Sequence, residues 1–121
     1  MSETTAHAGR ALVEIIASAN MAGPAMIARV IQRDDVTGTP GTADDSPVGN
    51  WVLARMHARG VPAREYEWIE TFRVYDITGE LIAASRITRG VLHALESAVN
   101  DGVHPELTSS AVGFAVSVGL L

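Results

Sequence analysis

The chain has 121 residues, and none of them is cysteine or lysine. Without cysteine there is no disulfide framework, no thiolate-held zinc, no iron–sulfur cluster and no thiol nucleophile. Without lysine, every cationic contact falls to nine arginines, whose planar forks stay charged at any ordinary pH. Alanine, glycine and valine abound beside them, a bias expected of a GC-rich bacterium or its phage. Charged residues make up 19% of the chain, and the net charge is −5. That balance argues against a surface built for phosphate backbone, so nucleic acid is not an expected partner. No uncharged run reaches the roughly 18 residues of a membrane span. The stretch from Met1 to Gly9 lacks the basic and apolar blocks of a secretory leader, so a cytoplasmic setting is expected.

What is present is enough apolar material, at 47%, to build one core in a single domain, residues 1–121. From Ala6 to Ala22 the polar residues His7, Arg10, Glu14 and Ser18 form one stripe at helical spacing. Leu12, Val13, Ile15, Ile16 and Ala19 cover the rest of that helix. Arg10 and Glu14 are placed to pair across one turn, worth about 0.2–0.5 kcal/mol. Gly23-Pro24 stops this helix and starts a short second one to Arg33. Residues 34–49 carry Gly, Thr, Asp and Pro without periodicity and are expected to form a long irregular loop. Ser46 then offers an N-cap and Pro47 a first helical residue for a third helix to about Arg59.

Tyr66 to Asp76 alternates with period two and holds four of the six aromatic residues, which predicts one strand. Asp76-Ile77-Thr78-Gly79 predicts a tight turn with glycine in the left-handed position. Leu81 to Ile87 returns antiparallel and completes a hairpin over 66–87. Thr88 is placed to cap a fourth helix with Val91, Leu92, Leu95 and Val99 inward. Residues 110–120 alternate large and small side chains and predict a C-terminal strand. The sum is an α+β domain: about four helices and a small antiparallel sheet, with helices on one face.

Four histidines, at 7, 57, 93 and 104, show no metal-ligand spacing, and neither a metal nor a cofactor is expected. His93 and Glu96 lie three apart on the fourth helix. The aspartate pairs Asp34-Asp35 and Asp44-Asp45 do not follow a calcium-loop pattern. No complete catalytic set is present, so no catalytic residue is assigned; for an enzyme, His57, Glu70 and His93 are the residues to test. Arg86, Thr88 and Arg89 sit at a strand-to-helix junction, where free N–H groups and forked donors favour an anion. Arg73 on the neighbouring strand is placed to join them. An arginine patch of Arg29, Arg33, Arg55 and Arg59 would be needed for nucleic-acid binding.

The expectation drawn from these features is a non-enzymatic, self-associating accessory or structural protein, a homo-oligomer with room for a protein partner. The alternative is a small enzyme or small-ligand (anion) binding domain with a pocket lined by Arg, His and Glu.

Overall fold

The computed structural model describes residues 3–108, so the expected strand at 110–120 lies outside the described residues. Four helices and three strands follow in the order α1 (Glu3–Ala22), α2 (Pro24–Arg33), α3 (Pro47–Ala58), β1 (Glu65–Ile69), β2 (Thr71–Tyr75), β3 (Leu81–Arg86) and α4 (Gly90–Asn100). A short 3-10 turn, Pro105–Leu107, closes the described chain. This is the expected α+β class.

α1 is the hub, because it touches β3 and each of the other three helices. Ala8, Ala11, Leu12, Ile15 and Ala19 give it a buried stripe in which small residues allow close approach. Glu14 pairs with Arg59 at the end of α3, not with Arg10. α2 buries Ile27, Ala28 and Ile31 at helical spacing. α3 starts as its sequence implies: Ser46 is the N-cap, its hydroxyl accepting the Gly49 N–H at 3.0 Å, and Pro47 follows.

The sheet departs from the expected hairpin. Residues 66–76 are not one strand but two, folded back on each other at Glu70, so the sheet is a three-stranded meander in the order β1-β2-β3. The register pairs Tyr66 with Val74 and Trp68 with Phe72, leaving Glu70 alone at the turn with φ of 60°. A fold about a single residue keeps parity: even positions face even positions across the pair. The alternation therefore runs unbroken through the reversal, and no glycine, proline or asparagine marks it. The second turn is as expected. Asp76 accepts from the backbone N–H of Thr78 and Glu80 and from the Thr78 hydroxyl, and Gly79 has φ of 84°. These bonds hold the Asp76 carboxyl below its ordinary pKa, that to the Thr78 hydroxyl most of all.

One face of the sheet, carrying Tyr66, Phe72, Val74 and Ala83, is buried under the helices. The other carries Glu65, Glu67, Ala84 and Arg86 and is open. Phe72 stacks on Tyr66 at 4.9 Å and meets Trp68 edge-on at 5.6 Å. Such pairs are worth about 0.5–1.5 kcal/mol each beyond the area they bury.

Residues 34–46 are irregular but tied down. Gly38 bonds the Leu107 carbonyl, Gly41 bonds the Asn100 side chain, and the Ala43 carbonyl accepts the Trp68 N–H at 2.7 Å. The segment thus covers the outer edge of β1 and satisfies part of it. No single helix among the described residues is long and apolar enough to cross a membrane.

Candidate functional site: an acidic cleft between loop, sheet and helix

That tethered loop forms one wall of a cleft of about 480 Å3. Thr42 and Ala43 lie on the loop side; Trp68 and Glu70 come from the β1 end of the sheet; His93, Glu96, Ser97 and Asn100 come from α4. Gly41, Ile69, Ile87 and Thr88 complete it. Hydrogen bonds tie the walls together at the cleft, including that from the Gly41 N–H to the Asn100 side chain of α4. Ile87 donates to the Glu70 carbonyl at 2.8 Å, which holds the turn shut, and the Trp68 indole donates to the Ile87 carbonyl at 3.3 Å. Glu70 holds a left-handed conformation that side chains with a Cβ rarely adopt, at a cost of order 1 kcal/mol.

The chemistry at the rear of the cleft centres on Glu96. Leu92, Leu95, Glu96 and Val99 occupy helical positions i, i+3, i+4 and i+7, so this carboxyl stands within the apolar stripe of α4. The Ser46 hydroxyl is its polar neighbour, and its Oε1 is shielded from solvent with no hydrogen-bond partner among the described residues. Burial pushes its pKa up, against the Ser46 hydroxyl, which lowers it. An unsatisfied buried polar atom costs about 1–3 kcal/mol.

Behind Glu96 lies a polar network. The Tyr66 hydroxyl accepts the Ser46 N–H at 2.8 Å and donates to Asn50 Oδ1 at 2.8 Å. Asn50 in turn donates to the Thr37 carbonyl and to Asp45. Burial drives the Tyr66 pKa up to about 12, with Glu96 and Asp45 adding to the rise and the Ser46 bonds opposing it. The phenolic end of the Tyr66 ring comes up against Gly49 of α3; a Cβ there would stand 2.4 Å from a ring carbon. Glycine at 49 is therefore required by close approach.

Among the residues singled out from sequence, Glu70, His93 and Thr88 meet at this cleft. His57 does not: it lies near the end of α3 with its ring bonded to the Ala63 carbonyl. Arg73 and Arg86 point with the open face of the sheet, and Arg86 pairs with Glu70 at 3.7 Å, both side chains well exposed. Such a surface pair contributes little. Arg89 is the exposed N-cap residue of α4 and supplies no side-chain cap. Thr88 does not cap α4 either. The Val91 N–H is taken by the Asn20 side chain at 2.9 Å, reaching across from α1. The junction expected to attract an anion thus has an amide oxygen seated on it.

No arginine lines the cleft, while two carboxyls do. Its electrostatics oppose anion binding and favour a cation or a hydrogen-bond donor. Glu96, the most informative residue, was readable only as a partner of His93; its stripe position was the available signal. No group of three or more His, Asp or Glu able to hold a metal ion occurs among the described residues. Comparison with protein-family models, curated proteins and solved structures finds no match to this chain.

Proposed function

We propose that this chain is a small-ligand-binding domain whose acidic cleft takes a small organic ammonium ion. The observation that carries it is the Glu96 carboxyl, shielded, partly unpartnered and set in the cleft wall. Once the carboxyl turns toward the cleft, an ammonium N–H supplies the missing donor and the compensating charge together. The Trp68 ring beside it suits a flat or cationic group. Benzylammonium, titrated calorimetrically against benzyl alcohol and benzoate, tests the reading. The ammonium is expected to bind at least about tenfold tighter than the alcohol, with benzoate weakest. Glu96→Gln is expected to erase that preference. Equal binding of all three, or an unaltered preference in Glu96→Gln, overturns it.

A second reading, self-association, is favoured by a different surface. β3 is an edge strand, and a largely apolar groove of about 490 Å3 runs between it and α1. Val13 in that groove and Leu81 at its strand are exposed. An edge without a strand partner among the described residues, beside an apolar groove, suits antiparallel pairing with β3 of a second copy about a two-fold axis. Light scattering is expected to give a dimer that Val13→Glu dissociates; a monomer at millimolar concentration excludes it. Origin in a GC-rich genome and a cytoplasmic setting rest on composition and belong to the same proposal.

A further inference from the structure

A third concavity lies between α1, α2 and α3, with a volume of about 270 Å3. Ile15, Ala19, Ile27 and Trp51 give it an apolar floor, and all four are buried. Arg33, Arg55 and Arg59 line it as well. Three of the nine arginines of an acid-rich chain thus gather at one apolar hollow.

Their partners do not balance them. Arg59 pairs with Glu14, and Arg33 lies 3.6 Å from Asp34. Asp34 also accepts the Trp51 indole N–H at 3.3 Å. Neither acid lines the hollow. Arg55 has no ion-pair partner among the described residues. Three cations against two acids leave one positive charge in excess, beside a floor that prefers hydrocarbon.

We infer that this hollow binds a monomeric amphiphilic monoanion, a medium-chain aliphatic carboxylate, with its tail on the apolar floor and its head on Arg55. Guanidinium and carboxylate match as planar forks, so Arg55 supplies two parallel donors, with Arg33 at the same rim. Arg29, the fourth member of the basic group seen in sequence, is not among the lining residues. The arginines are thus arranged around a pocket instead of along a backbone-tracking stripe.

The test is calorimetric titration of the full chain with octanoate, 1-octanol and octylammonium. Octanoate is expected to bind about tenfold tighter than octanol, and octylammonium weakest. Arg55→Gln is expected to lower octanoate affinity about tenfold and leave octanol unchanged, and Arg55→Lys to restore part of it. Ala22→Trp, which sets an indole at the rim from an exposed position of α1, is expected to block octanoate without unfolding the chain. Equal binding of octanoate and octanol overturns the inference, as does an octanoate affinity indifferent to Arg55→Gln. Capture by phosphatidylglycerol vesicles without octanoate binding also overturns it, in favour of a membrane surface.

Discussion

The cleft beside α4 and the hollow between α1, α2 and α3 are both concave, and each is lined by one of the chain's two tryptophans. They differ in how charge is held. In the cleft a carboxyl is drawn into an apolar stripe, away from any cation, and desolvation governs it. In the hollow the cations stay near water while their surroundings are hydrocarbon, as long side chains permit. A short acid placed in a core stripe must be buried; a long base beside one can keep its head out. The first arrangement ties its site to folding stability, and the second leaves its site nearly independent of it.

Variants that break this contrast rank by expected effect. Gly49→Ala comes first. The new methyl would overlap the Tyr66 ring, and separating α3 from β1 is expected to cost about 3 kcal/mol, the upper end for overpacking. Chemical denaturation measures it. Tyr66→Phe follows. It strips the hydroxyl that serves the buried Ser46 N–H and Asn50, and a loss of about 1–3 kcal/mol is expected.

Glu96→Gln separates stability from binding through pH. A carboxyl with a raised folded pKa stabilises the fold fully below its ordinary value of 4.5. That contribution is lost as pH climbs through the raised folded value. The wild type is therefore expected to lose stability across this window, and Glu96→Gln to remove that part of the slope. Denaturant midpoints from pH 4 upward check the sign. Arg55→Gln is the smallest change, with stability expected within about 0.5 kcal/mol of wild type. A large loss there would erase the contrast, because it would make the hollow structural.

The helices were legible because their stop and start signals are local: Gly23-Pro24, and Ser46-Pro47 with its satisfied cap. The turn at Asp76 was legible for the same reason. The reversal at Glu70 was not, because a fold about one residue preserves the alternation on both sides of it. The cap of α4 was hidden differently: Asn20 is far from Val91 in sequence, and Thr88 was the nearer residue of the right type. The cleft was half legible. Glu70, His93 and Thr88 were named from residue type, but the loop wall and Tyr66 network needed tertiary placement. Glu96 broke a hydrophobic stripe, a signal present in the sequence itself.

The most direct measurement is the titration of the Glu96 side-chain carboxyl carbon by NMR, with and without benzylammonium. A midpoint above 4.5 in the free protein is expected, falling when the ammonium binds, because a neighbouring cation favours the charged carboxylate. A midpoint at the ordinary value, or one that benzylammonium leaves unmoved at saturation, would contradict an acidic cleft organised around a buried carboxyl.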